Sequence, residues 1–154
     1  MRKLDIKAIY RSKWIKTTVD SDFSTNLENL VKREFDTDKP NSLWVTDITY
    51  IWTYTEFVYL TSVMDLFSRK IIAWDLSDSL SVDSVVRCIK RAKERRNLDK
   101  PLIIHSDRGT QYVSKEYLSL MDSNMGPSYS KKADPWDNAC IESFHAIIKR
   151  EWLK

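Results

Sequence analysis

Only two of the 154 residues are glycine, against a usual share of about 7%. A chain this poor in glycine has few positions where the backbone turns left-handed without steric strain. Its connections must therefore be short and built from other residues. Cysteine and histidine are equally scarce, two of each, and neither a CxxC nor an HxxxH spacing occurs. That argues against a zinc module and a disulfide framework; Cys88 and Cys140 are expected to be buried free thiols in a reducing compartment. No apolar run approaches the ~18 residues of a membrane span, and the N-terminus lacks a signal-peptide core, so a cytoplasmic protein without a membrane partner is expected. Internal repeats and low-complexity segments are missing too. The length suits one domain with a real core rather than two of ordinary size.

What is present is an ordinary globular balance, 42% hydrophobic and 31% charged residues. Six Trp and seven Tyr fall mostly in or beside strand-like runs, where packing on sheet faces is their default role. The net charge of +3 is mild, but it is unevenly spread. Residues 1–16 carry six basic side chains against Asp5, and residues 87–100 carry seven against Glu94 and Asp99. Two such blocks suit a polyanion partner; the alternative is a solvated helix face and a basic tail.

Residues 1–40 read as a basic, partly ordered arm or linker, with a short helix possible over Asn26–Val31 and punctuation at Lys39-Pro40-Asn41. From residue 41 to 154 the chain reads as the core. Leu43–Trp52, Phe57–Met64 and Lys70–Leu76 are rich in β-branched and aromatic residues and are joined by short connections, which predicts an antiparallel meander. Val82, Val85, Val86, Ile89 and Ala92 recur at helical spacing behind Ser81 as N-cap, and Pro101 stops the helix. A short buried strand follows over Leu102–Ile104, then a helix from Ser114 through Met121, a brief strand over Met125–Ser130 and a last helix from about Asn138 to Trp152. The predicted class is α/β. A right-handed crossover can lay the fourth strand parallel to an earlier one, and if that is the first, Asp47 and Asp107 become neighbours.

Those two acids and Glu142 are the chemically informative residues. Asp47 sits inside LWVTDITYIW, Asp107 ends PLIIHSD, and Glu142 lies in WDNACIESFHAIIKRE. A carboxylate inside a strand-like run is costly to desolvate without a positive neighbour, and neither Lys nor Arg lies within two residues of Asp47. Three such groups brought together repel, and a divalent cation offsets the repulsion. On the last helix, Glu142, His145, Ala146 and Lys149 share one stripe, with Ile141, Phe144, Ile148 and Trp152 on the stripe expected to face the sheet. Glu142 can then reach a metal and Lys149 a phosphate.

The segments WVTDITYI, DLFSRKIIAW, HSDRGTQY and PWDNACIESFHAIIKRE together resemble the catalytic core of bacterial insertion-sequence transposases, type three, within the retroviral-integrase-like DDE superfamily. The resemblance spans Asn41 to Trp152. It implies an RNase H-like fold with a mixed five-stranded sheet, and Asp47, Asp107 and Glu142 as the metal-binding catalytic triad. It implies Mg²⁺, with Mn²⁺ substituting, as two ions per site when DNA is bound. Lys149 matches the basic residue seven positions after the glutamate. The partners implied are double-stranded DNA, as transposon ends and target, and further copies of the chain, in a bacterial, nucleoid-associated setting. Thirty-four residues separate Asp107 from Glu142, one fewer than usual in the family. The upstream helix-turn-helix region and the helices that follow the catalytic one have no counterpart here, so a fragment truncated at both ends is expected.

Around the triad, Arg108, Gln111, Lys131 and Lys132 are candidate phosphate contacts on flanking loops. His145 is a candidate DNA contact, and Asn138 either caps the helix, as Asp137 would, or lies at the site rim. His105 alternates to the face opposite Asp107 and is expected to be packed, and Asp65 reads as a turn residue. Two other functions remain open: an RNase H-type nuclease, disfavoured because its usual extra helix carboxylate has no good counterpart, and a catalytically silent DNA-binding or dimerising remnant.

Overall fold

The computed structural model describes residues 27–132 and 134–153, and the basic block at residues 1–16 lies outside them. Five strands, β1 (Leu43–Trp52), β2 (Phe57–Asp65), β3 (Lys70–Ser77), β4 (Leu102–Ser106) and β5 (Met125–Tyr129), form one sheet in the order β3-β2-β1-β4-β5. The meander is antiparallel, while β4 lies parallel to both β1 and β5. Helix α1 (Val82–Arg95) makes the crossover from β3 to β4, and α2 (Lys115–Leu118) joins β4 to β5. A 3₁₀ turn (Pro135–Asn138) leads into α3 (Ala139–Glu151).

Strand alternation divides the core in two. Trp44 on β1 packs with Val63, Ala73 and the α1 residues Val85, Cys88, Ile89 and Ala92 on one face. Leu43 and Val45 pack with Met64, Leu66 and Ile141 of α3 on the other. Because β1 is central and covered on both faces at this end, its run over 43–46 is buried throughout. Burying each large aliphatic side chain contributes roughly 1.5–3 kcal/mol, which holds α1 and α3 against opposite sides.

Helix α1 is also fastened by charge. Asp75, 4% exposed on β3, accepts Arg87 Nη2 at 2.7 Å and Arg91 Nη1 at 2.6 Å. Arg95 donates to the Ile72 carbonyl, and Lys93 bonds Asp122 and the Leu120 carbonyl. Much of this block, expected to face a polyanion or solvent, is therefore spent on internal ties. Replacing Asp75 with Ala leaves two arginines without their shared acceptor. It is expected to destabilise the domain by about 2–3 kcal/mol, read as a lower urea midpoint.

The shortage of glycine has a visible consequence. Left-handed backbone occurs at Lys32, Arg33, Asn41 and Arg69 (φ 49°, 67°, 59° and 56°) and at neither glycine. Such a conformation costs a non-glycine residue on the order of 1 kcal/mol. Arg69, in the β2–β3 turn, is held by bonds to Cys140 Sγ and the Phe35 carbonyl. In the same turn, Asp65 accepts Ser68 Oγ and the Asn41 N–H, the turn role expected of it.

Several local expectations are corrected. Residues 27–31 are not helical; instead Tyr129 N donates to the Glu28 carbonyl, Leu30 N to Ser128 Oγ, and Val31 is buried in the α3-side core. Ser81 stands at the N-cap position of α1 without a side-chain cap bond, whereas Ser114 does cap α2. Helix α2 ends at Leu118, before Met121. Trp152, expected to face the sheet, is 81% exposed because α3 ends at Glu151. Cys88 is buried, and burial pushes its thiol up to about 12, but Cys140 is only half-buried.

Candidate active site

The parallel pairing of β1 and β4 is what brings the first two acids into one neighbourhood. Leu43–Val45 pair with Ile103–His105, so the chain leaves β4 at Asp107 beside the stretch of β1 that begins at Asp47. Helix α3 packs across the same face through Ile141 and carries Glu142 at the surface. The three acids come from three elements: the middle of one strand, the end of its neighbour, and the first turn of a helix.

Their charges act on one another. Crowding by protein atoms pushes the Asp107 carboxyl up to about 6, and the Asp47 charge adds to it against the opposing Gly109 N–H. Glu142 is raised first by desolvation, then by Asp47 and Asp107. Asp107 still reaches solvent, which screens the repulsion, so the shared neighbourhood matters more than the size of the shift. Asp107 Oδ1 accepts the Gly109 N–H at 2.9 Å. A Cβ at position 109 would stand 3.0 Å from that oxygen, tighter than ordinary contact, so a larger residue there would push the carboxylate aside by a few tenths of an ångström.

Asp47 is held differently. Its Oδ2 lies 3.2 Å from His145 Nδ1, and His145 Nε2 lies 3.2 Å from Ser62 Oγ. At 3% exposed, His145 faces the sheet, which corrects its expected place at the DNA surface. Seven residues earlier, Asn138 Nδ2 reaches the Thr46 carbonyl through a long 3.4 Å contact. Asn138 makes no side-chain cap bond, and its buried Oδ1 is without a partner among the described residues. Asp137 does not cap either. Its carboxylate accepts Asn29 Nδ2 at 2.7 Å, Lys131 N at 2.8 Å and Arg33 Nε at 3.0 Å. Burial alone would raise this carboxyl, but those donors together hold it below the usual carboxylate range.

The flanking residues divide. Lys149 places its Nζ 4.4 Å from the centre of the Tyr50 ring. Its amine is lowered by burial, while the nearby Asp47 charge works the other way. Tyr50, 61% exposed, stacks edge-on to Phe57, which also meets Trp52. Arg108 turns inward, donating to the carbonyls of Ser130 and Leu27, and Gln111 Nε2 reaches the Leu80 carbonyl at 3.4 Å. Lys131 and Lys132 are exposed on the loop ahead of α3. His105 is fully buried between Ser128 Oγ and the Asp137 carbonyl. Sequence reasoning missed Ser62 and Tyr50. Both follow from the register Asp47↔Ser62 and Tyr50↔Tyr59, which no local pattern reveals.

Among the described residues, no three His, Cys, Asp or Glu side chains converge closely enough to hold a metal ion. The donor chemistry still suits a hard cation: three carboxylates, mutually repelling, with a glycine leaving room at one of them. Glu142 is exposed, and the backbones of β1, α3 and the β4 end set the spacing that a cation would draw together.

The integrase core domain model matches residues 37–135. The chain belongs to the integrase core family. The matched region holds Asp47 and Asp107 and stops short of Glu142. This integrase-type core is 38% identical over 131 residues to the transposase for insertion sequence element IS904 of Lactococcus lactis, covering 84% of this chain and 52% of that protein. It is also 38% identical over 127 residues to transposase InsF for insertion sequence IS3A of Escherichia coli, covering 82% of this chain and 44% of that protein. The chain thus spans about half the length of these relatives. Among solved structures, the simian T-cell lymphotropic virus intasome in complex with PP2A regulatory subunit B56 gamma gives a TM-score of 0.64 at 22% identity, over 71% of this chain and 39% of that one. The HTLV-2 integrase catalytic core domain in complex with magnesium gives 0.57 at 22% identity, over 71% and 68%. The shared fold is RNase H-like. No helix among the described residues is long and apolar enough to cross a membrane.

Proposed function

We propose that this chain is the catalytic core of an insertion-sequence transposase, a metal-dependent polynucleotidyl transferase that nicks DNA at 3′ ends and transfers the strand to a target. The observation that carries the reading is the parallel pairing of β1 with β4, which sets Asp47 and Asp107 side by side on the face that α3 crosses with Glu142, in a chain of the integrase core family. Asp47, Asp107 and Glu142 would hold the divalent cation, Mg²⁺ or Mn²⁺, as two ions once DNA is bound. The chemistry supplied there would be polarisation of a phosphodiester and activation of water or a 3′-hydroxyl for in-line attack. The chain's own part is positional. Gly109 holds the Asp107 carboxylate through its N–H. Asn138 and Ile141 seat the start of α3 against β1, so that Glu142 stands over the strand carrying Asp47. Lys149, two turns on, would swing from the Tyr50 ring to bind a phosphate.

The decisive assay combines the purified chain, Mg²⁺ or Mn²⁺ and a duplex ending in the element's terminal sequence. Strand nicking and joined products support the reading. Cleavage confined to RNA–DNA hybrids would favour a nuclease, and cation binding without cleavage a silent remnant. On the transposase reading its partners are transposon ends, target DNA and further copies of the chain. Replacing Lys149 with Ala is expected to weaken duplex binding about tenfold and to reduce the salt slope by about one phosphate contact. Fluorescence anisotropy across a salt series measures both.

A further inference from the structure

His145 is the second histidine of a chain that has two, and it is in an unusual place. Helix α3 presents it three residues after Glu142, so the two lie on neighbouring sides of the same turn. Its ring is buried on the α3-side face of the sheet and spans a cross-strand pair, since Asp47 and Ser62 face each other in the β1–β2 register. Both ring nitrogens are used, Nδ1 toward Asp47 Oδ2 and Nε2 toward Ser62 Oγ, each at 3.2 Å. A carboxylate can only accept, so Nδ1 donates; with Nδ1 carrying the hydrogen, the neutral ring accepts the Ser62 hydroxyl hydrogen at Nε2. Among the described residues His145 is the partner of the Asp47 carboxylate, and neither Lys nor Arg makes a hydrogen bond or ion pair with it.

We infer that His145 is a positioning residue for the cation site. It fixes the rotamer of Asp47, occupies Oδ2, and leaves Oδ1 as the oxygen available to a ligand. It also ties Asp47 on β1 to the helix that carries Glu142, so the separation of two proposed ligands is set by one buried ring rather than by two independent side chains. Ser62 holds that ring in its orientation. Outer residues of this kind, hydrogen-bonded to a ligating group, typically alter metal affinity by 10–100-fold when removed. This inference rests on the metal-site reading above.

The test separates the two ring nitrogens. In His145→Asn the amide can stand near the former Nδ1 and keep the bond to Asp47; in His145→Gln it reaches the former Nε2 and keeps the bond to Ser62. Mn²⁺ binding to the 154-residue chain, followed by the loss of the free-ion electron paramagnetic resonance signal, is measured beside thermal melting. Each variant forfeits one bond, so the two are expected to melt alike. Their Mn²⁺ affinities are expected to part: His145→Asn within about threefold of wild type, His145→Gln weaker by about tenfold or more. Equal Mn²⁺ affinities in the two variants would overturn the inference, since a merely structural histidine would weaken binding only in step with stability. If either variant does not fold, Ser62→Ala decides. An Mn²⁺ affinity lowered at least about threefold supports a ring that must be oriented, and an unchanged one overturns it. Asp47→Asn is the control for the underlying reading. If it binds Mn²⁺ as tightly as wild type, or wild type binds none, it is the metal site itself that fails, and this inference with it.

Discussion

Replacing Glu142 with Gln is expected to abolish DNA nicking and strand transfer, by at least about three orders of magnitude or ~4 kcal/mol of barrier, while leaving the fold intact. The asymmetry follows from where the residue stands. Glu142 is exposed in the first turn of α3 and no hydrogen bond to it appears among the described residues, so an isosteric amide removes little packing. It does remove a carboxyl that burial and the charges of Asp47 and Asp107 raise. Without a cation, the variant should melt at the same temperature as wild type or slightly higher, because a repulsion is relieved. With millimolar Mg²⁺ or Mn²⁺, the wild type should gain stability by mass action and the variant much less. Calorimetric melting with and without cation, run beside the nicking assay, checks both halves. Full activity in Glu142→Gln would remove Glu142 from the site.

A second large effect is expected far from any reacting atom. Asp137, 2% exposed, joins three parts of the chain. It takes hydrogen bonds from Asn29 and Arg33 in the leading segment and from the Lys131 backbone in the loop before α3. Its own carbonyl accepts His105 Nε2 at the end of β4. Asp137→Ala should destabilise the domain by about 2–3 kcal/mol at neutral pH, chiefly because it strips three part-buried donors of their shared acceptor. Arg33 is half exposed and can recover water, which keeps the figure from being larger. The pH dependence has a definite sign. The folded state holds this carboxyl below its ordinary value of 3.8, so the unfolded chain takes up its proton first as the medium is acidified. The stabilisation is therefore complete above the ordinary value and is lost as pH falls through the lower, folded value. Urea unfolding of wild type and variant should differ most near neutrality and converge in strong acid. Nicking should fall along with stability, since the same residue anchors the approach to Glu142.

The strands and the two longer helices were legible because each is long, strongly patterned and bounded by turn chemistry. Leu43–Trp52 could hardly be anything but a strand, and the stripe from Val82 to Ala92 hardly anything but a helix. The crossover rule then allowed β4 to lie parallel to an earlier strand, and the structure makes that strand β1, which sets Asp107 near Asp47. Errors cluster where a short polar segment had no period to read. Residues 27–31 looked weakly helical, yet they run beside β5 without regular structure, where Tyr129 and Ser128 offer bonds that a single helical turn does not outweigh. Asn138 and Asp137 looked like caps because their residue types prefer that role. Both are drawn instead into tertiary bonds that a cap would forgo.

By itself, then, the sequence determined the order of elements, the family, and which three carboxylates stand out from apolar surroundings, since these depend on local period and on residue type. The tertiary structure decided which side chains those carboxylates meet. Whether His145 faces solvent or the sheet turns on how α3 is rotated about its axis, and that is set by Ile141 packing against Val45 and Met64. Whether Ser62 matters at all turns on a β1–β2 register that a shift of one residue would reverse. Composition could announce that an acid at position 47 needed a partner. Only the packing of a helix on a sheet could make that partner a histidine.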